Sequence, residues 1–552
     1  MAEEEDQMIS GLLHSSEDIF VSTAAYNFGI ARFKMRGYDS KYSKIYVNGM
    51  PMNDMESGWP VWSDWGGLND VTRNKEIHYG LNAGNFALPE IGGVTNINTR
   101  PTSQYPGFKV SYASAKMNYN NRAMATYSTG LMDNGWAFTI SGSHRWAQEG
   151  YIEGTYYDAY AYFLAAEKQI NDKHSVSLTT FGAPRDRGKR GGEPQILYDK
   201  TGSNYYNPYW GYQAGEKRNS RIAHEYKPFF LLNHYWDVNE DLSIQTGMAY
   251  TFGIRGETRL TWYDANDPRP DYYKKLPYYN DIPVDEFEIE QEQLEWDYYY
   301  FANRKNLYTV DSPSNVDGDS YTGNLSKYFI EDGITNHQRV IANTNVTFDL
   351  NEMIKLTGGI NYRYYRGEHY KEVEDLLGGD FWVDIDKFVF RESDFDDYDM
   401  IKQNDLNNPN RIVREGDKYG YDYDAVILKG NVWGQSEFVF DKAEYYLGLG
   451  ITNSQYYRKG YMKNGKFPDD SYGRSETLDF LNYSLHAGGT NKITGRHIFQ
   501  YNLAYITQAP YYRETFISPR TRDHVVDGLK SETIMSGDLT YTIRTPVLQG
   551  RI

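Results

Sequence analysis

Seven times along this chain a run of alternating apolar and polar residues meets a tight polar turn, and a second such run follows. The turns are 131–135, 170–173, 237–241, 349–353, 441–444, 490–496 and 546–550, most of them built on Asn, Asp or Gly. Those residues tolerate the left-handed or self-hydrogen-bonded backbone that a short hairpin needs. Runs such as Trp136-Ala-Phe-Thr-Ile-Ser-Gly-Ser-His144 and Ser243-Ile-Gln-Thr-Gly-Met-Ala-Tyr-Thr-Phe252 have period two, the signature of strands with one apolar face. Between the hairpins lie long segments rich in Tyr, Asp, Asn, Gly and Pro, roughly 183–225, 255–335, 367–424, 459–476 and 509–530. A compact soluble domain rarely carries such loops. Short turns at one rim and long loops at the other predict an antiparallel transmembrane β-barrel.

Composition agrees with that reading. Aromatic residues make up 16% of the 552 residues while mean hydropathy is only −0.72. No stretch approaches the roughly 18 consecutive apolar residues of a spanning helix. A barrel keeps its average hydropathy low because its lumen face is polar, and its interfacial girdles raise Tyr, Trp and Phe. The formal net charge of −18 counts against a nucleic-acid partner, whose phosphates demand a basic face. With no cysteine, disulfide scaffolds, zinc ribbons and thiol catalysis are excluded. The acidic first ten residues lack the pattern of a secretory signal, which is expected of a cytoplasmic chain or of a mature or trimmed one.

The first hundred residues have no hairpin cadence. Short strands are expected over 30–36, 44–48 and 94–99, and a short helix over 8–14, in a separate small α+β domain spanning 1–104; the barrel takes 105–552. Three motifs stand here in order: Phe33-Lys-Met-Arg36-Gly37-Tyr38, then Ile45-Tyr-Val-Asn48-Gly49-Met50-Pro51, then Ile91-Gly92-Gly93-Val94-Thr-Asn-Ile97-Asn98-Thr-Arg100. On these motifs the chain resembles the TonB-dependent outer-membrane receptors, whose N-terminal plug sits inside a barrel. The wording at 65–73 and 206–213 is similar to that of receptors from Bacteroidota-type bacteria.

The resemblance implies an outer-membrane location in a Gram-negative bacterium and import of a nutrient, whether small molecule, peptide or glycan. It implies a TonB-type energy-transducing partner where a TonB box lies upstream, contact with outer-membrane lipid, and room for a surface lipoprotein. It also implies plug roles for Arg36, Gly37, Asn48, Gly49, Gly92, Gly93 and Arg100. Asn48 stands where the family has Asp, no TonB box precedes Gly11, and the Ala-rich insertion of SusC-like glycan importers is absent. The family's barrel has 22 strands; about fourteen or fifteen are countable before Ile552, so a C-terminally truncated barrel is expected. The alternative to transport is a plugged barrel serving as a structural partner in an outer-membrane assembly, and a third reading is a soluble carbohydrate-binding β-protein.

Arg36 and Arg100 are expected to pair with barrel-wall carboxylates, against the plainer reading of exposed arginines. The tract around Trp296, Tyr298, Tyr299 and Tyr300 is a candidate ligand surface at the mouth, although girdles and self-folding loops use the same residues. The acidic cluster 392–399 suits either a divalent cation or solvent. The basic cluster 185–190 suits an anion or plain hydration. The calcium-like stretch 315–319 fails, because Pro313 occupies the first ligand position and Asn324 the place of the bidentate Glu. No His-Glu-x-x-His, Gly-x-Ser-x-Gly or Walker motif occurs, so neither an enzyme, a resident metal nor a cofactor is expected.

Overall fold

The structure is a computed structural model that describes residues 37–552 except 115, 117 and 390–396. Arg36, the expected strand over 30–36, the expected helix over 8–14 and most of the acidic cluster lie outside the described residues.

The N-terminal part folds around a four-stranded sheet: β1 (Lys44–Val47), β2 (Met50–Pro51), β3 (Lys75–His78) and β4 (Val94–Ile97), in the order β2-β1-β4-β3. β1 runs antiparallel to β2 and parallel to β4. The Asn48-Gly49 dipeptide turns β1 into β2 with both residues at positive φ, 47° and 78°. A mirror-image two-residue turn requires that conformation at both positions, and Asn-Gly adopts it most readily. β3 is a strand that the alternation does not reveal, since all four of its residues are half-buried.

Around this domain an 18-stranded sheet forms the wall. Its first strands are β5 (Gly107–Ser114), β6 (Asn121–Ser128), β7 (Trp136–Ala147), β8 (Tyr157–Gln169) and β9 (His174–Gly182). A loop region then contributes β10 (Arg185–Gly188), the small hairpin β11 (Trp210–Gln213) and β12 (Glu216–Asn219), and β13 (Ile222–Tyr226). β14 (Phe229–Asp237) pairs back on β9 and leads into β15 (Leu242–Trp262). After a loop hairpin, β16 (Leu307–Asp311) and β17 (Ser320–Asn324), come β18 (Tyr328–Asn351) and β19 (Ile354–Asp375). A second loop pair, β20 (Trp382–Val383) and β21 (Ile412–Val413), precedes β22 (Lys418–Phe440) and β23 (Ala443–Gly460). The short β24 (Gly473–Arg474), β25 (Leu478–Thr494), β26 (His497–Gln508), β27 (Glu532–Arg544) and β28 (Gln549–Arg551) follow. Each of the seven tight turns joins an antiparallel pair of wall strands.

The wall is apolar outside and polar inside. On β7, Trp136, Phe138 and Ile140 point outward and exposed, while Thr139, Ser141 and Ser143 are buried within. Leu447, Leu449 and Ile451 on β23 and Leu481, Tyr483 and Leu485 on β25 continue the outer band. A contiguous outer surface of this kind marks contact with hydrocarbon. The strands run further than the alternation suggests: β18 spans 24 residues, and Trp262 of β15 still pairs with Tyr328 of β18. Nine to eleven tilted residues cross a bilayer. The remainder projects as a paired rim, where residues on both faces meet protein or water and the apolar alternation fades.

Candidate functional site

The inner domain is gripped at its low end by wall amides. Asn233 Nδ2 and Gln245 Nε2 donate to the Asn48 carbonyl at 3.2 and 2.6 Å, and Asn343 Nδ2 donates to the Gly49 carbonyl at 3.0 Å. Asn48 itself is buried, its Nδ2 donating to Thr99 Oγ1 at 2.9 Å and its Oδ1 accepting from the Thr99 amide at 2.8 Å. A carboxamide supplies both the donor and the acceptor here without adding a buried charge. Gly92 is crowded differently: a Cβ there would lie 2.5 Å from Ser43 Oγ, and one on Gly93, at φ 86°, would lie 2.7 Å from the His78 carbonyl. Gly37 is at positive φ with open space around it.

Arg100 reaches the wall. Its Nε donates to Glu167 Oε1 of β8 at 3.1 Å, a terminal nitrogen donates to the same oxygen, and that nitrogen also donates to Ser175 Oγ at 3.0 Å. The guanidinium lies over the Tyr235 ring, 3.7 Å from its centroid.

Higher up, the apex segment carries two buried polar clusters that the sequence does not announce. Glu56 accepts from Tyr365 Oη at 2.7 Å and lies 2.8 Å from His369 Nε2, both on β19. Burial alone would raise its carboxyl, and the neighbouring His369 and Arg513 draw it below the ordinary range. In the second cluster Lys227 Nζ bridges Asp64 Oδ1 at 2.9 Å and Glu225 Oε1 at 3.0 Å, and Arg185 joins Glu225 at 2.9 Å. Two carboxylates share one lysine. Burial first, then the charge of Glu225, pushes Asp64 up to about 6 against the pull of Lys227.

That shift sets a sign. A displaced apex would expose Asp64 to water, where it titrates near 3.9. The docked state therefore holds the extra proton between about pH 4 and 6, and docking weakens as pH rises through that window. Asp64→Asn is expected to remove this component. The urea midpoint for apex release, followed by Trp62 and Trp65 fluorescence, should fall between pH 4 and 7 more in the parent than in the variant; equal slopes would assign the dependence elsewhere.

Above the apex the long loops pack on one another. Trp296 and Tyr299, two of the expected ligand aromatics, are buried in a cluster with Leu260, Leu294, Tyr328, Ile330 and Leu377. Trp296 Nε1 donates to the Arg218 carbonyl at 3.2 Å, and Tyr299 Oη donates to the Pro268 carbonyl at 3.2 Å. Their faces are spent on the loop core. Tyr300 Oη accepts from Gln213 Nε2 at 2.9 Å, while Tyr298 is exposed. In the basic cluster, Arg185 serves the Glu225 pair and Lys189 Nζ donates to Glu257 at 2.8 Å. Among the described residues no group of three or more His, Asp or Glu is placed to hold a metal ion.

No family model and no curated protein matches the chain. Solved structures do. The chain is similar to the ferric-catecholate import receptor Fiu from E. coli K12 in its open form (TM-score 0.54, 10% identity, 93% of this chain and 66% of that one). It is similar to the copper transporter OprC (TM-score 0.58, 10% identity, 94% and 64%) and to the ferric citrate transporter FecA in the unliganded form (TM-score 0.55, 10% identity, 95% and 62%). The chain thus spans 62% to 66% of the length of these structures. At such identity the likeness is one of fold, and the fold it shows is an antiparallel β-barrel that encloses an N-terminal plug.

Proposed function

We propose that the chain belongs to an outer-membrane receptor that imports a nutrient through its barrel once a TonB-type partner draws the plug aside. In this reading residues 1–104 are the plug and 105–552 the wall, in the outer membrane of a Gram-negative bacterium. The observation that carries it is the pairing of opposites: an apolar outer band for lipid, and a polar lumen filled by a separately folded domain that amides, ion pairs and an apolar core hold against the wall. A wide lumen without a plug would leak. The names of the structural neighbours, which speak of import of a ferric catecholate and transport of copper and ferric citrate, agree with uptake as the task.

Two measurements on cells carrying the full-length parent test this together. Single cysteines at Asn171, in a tight turn, and at Asp317, in a long loop, should differ, with only Asp317→Cys labelled from outside on intact cells. Cells with the gene should also deplete from spent medium at least one solute that cells without it leave behind, and loss of the energy-transducing partner should abolish the difference. Labelling of Asn171→Cys would overturn the topology, and identical media would overturn the import.

A further inference from the structure

The plug is packed unevenly against its wall. On one side Ile45, Val47, Met50, Met52, Trp62 and Trp65 meet Phe163, Phe181, Phe229, Leu231 and Ile341 in one apolar core. On the other side, facing β19, β22, β23, β25 and β26, lies a cavity of about 140 Å³. It is lined by charge. Lys44 of the plug, Arg363 of β19 and Lys429 of β22 bring three cations to it, and Glu90 and Asp54 bring two carboxylates.

The partners of these groups are unequal. Asp54 is engaged within the plug, its Oδ1 accepting from the Ser57 amide at 2.8 Å and Ser57 Oγ at 2.6 Å. Lys44 Nζ donates to the Lys41 carbonyl at 3.2 Å and to Tyr511 Oη at 3.1 Å. Arg363 Nε, by contrast, is buried with no hydrogen-bond partner among the described residues. Lys429 has Arg363, Lys44 and Glu90 as its charged neighbours, two of them cations. Asn482 and His486 of β25 line the same cavity at 2% and 1% exposure, with both amide atoms of Asn482 and Nδ1 of His486 unpartnered. Buried donors and unpaired cations are costly unless oxygens meet them.

We propose that this cavity binds a small, doubly charged oxyanion of the phosphate type, held between Arg363 and Lys429. A guanidinium offers a fork that matches two anionic oxygens, and an ammonium offers a point charge beside it. Asn482 supplies a donor that reads oxygen in either charge state. The volume suits the assignment, since a water needs roughly 10–15 Å³ measured in this way and the cavity holds on the order of ten such spheres. The site lies between plug and wall, with Tyr511 among its lining residues. With Lys44 of the plug lining the same cavity, an occupied anion would add a polar tie between plug and wall on a side where the apolar clusters are smaller, Met55 with Ile427 and Tyr456, and Leu81 and Ile91 with Ala504 and Ile506. Its binding is an equilibrium property that does not depend on import.

The test uses the detergent-solubilised full-length parent and inorganic phosphate as the probe, with binding read by calorimetry. The parent should bind phosphate, Arg363→Met and Lys429→Met should each weaken it by about tenfold or more, and Arg363→Lys should recover part of the loss. Absence of phosphate binding at millimolar concentration, or undiminished binding in both Met variants, would overturn the site. Should a Met variant fail to fold, selenate soaked into crystals of the parent decides: an anomalous peak between Arg363 and Lys429 supports the proposal, and its absence refutes it.

Discussion

Arg100→Met is expected to weaken plug docking by about 3–5 kcal/mol, the usual cost of leaving one member of a buried ion pair alone. Glu167 is 1% exposed, and without the arginine it keeps Thr102, whose Oγ1 donates to its Oε2 at 2.9 Å, as its close partner among the described residues. The same change strips the cation from the Tyr235 ring. A shift of that size raises the undocked population by about two to four orders of magnitude. Cells should then admit a bulky antibiotic that the parent excludes, at equal protein level in the membrane. Glu167→Gln on top of Arg100→Met should restore much of the barrier, because a neutral pair leaves no stranded charge. Unchanged antibiotic resistance in Arg100→Met would show that the amide grip on Asn48 and Gly49 suffices alone.

A second large effect is expected at Gly58. Its φ is 78°, a backbone region that L side chains rarely adopt, and a Cβ there would lie 2.0 Å from Tyr511 Cζ and 2.3 Å from Cε1. The strain alone costs about 1–2 kcal/mol, and the overlapping atoms are the end of a rigid ring whose hydroxyl Lys44 and the Lys41 carbonyl hold in place. Gly58→Ala should therefore lift the 509–516 segment off the apex, breaking the contacts of Tyr511 with Lys44 and Lys41 and of the Arg513 amide with the Glu56 carbonyl. Limited proteolysis should cut near Arg513 and Arg520 faster than in the parent. Adding Tyr511→Ala should make the effect of Gly58→Ala smaller, since the ring that clashes is gone. Equal cleavage in the parent and Gly58→Ala would mean that the loop is not seated on the plug.

The elements that can be read along the chain are those whose physics is local. A two-residue Asn-Gly turn, a glycine that must accept a carbonyl at close range, and an alternating strand between tight turns all write themselves into neighbouring residues. Arg100 is legible only through the family motif that it ends, since its partner Glu167 lies 67 residues further on. Glu56 and Asp64 look like any other polar residues in a Gly-rich stretch, and their partners Tyr365, His369 and Lys227 lie far along the chain. Nothing in the spelling of a lysine at 227 or a tyrosine at 511 marks it as a plug contact. The tract 296–300 is ambiguous for a related reason: stacked aromatics suit a ligand, a lipid girdle and a loop core alike, and it is packing that puts Trp296 and Tyr299 in a loop core.

The loop cores bear on how a ligand would be recognised. Asn303, fully buried, donates through one amide nitrogen to the carbonyls of Tyr328, Leu376 and Leu377 and accepts at its oxygen from two more backbone amides. That single side chain ties together the bases of two different loops, while Trp382, Phe381 and Phe329 join the same loops through an apolar cluster. Loops braced in this manner have already surrendered their conformational entropy during folding. Under the proposed function, a ligand arriving at the mouth would meet loops whose bases are already joined, and less of its interaction energy would be consumed in ordering them. Under that same proposal, a change at an exposed position such as Tyr298 would alter what the ligand meets without refolding the frame beneath it.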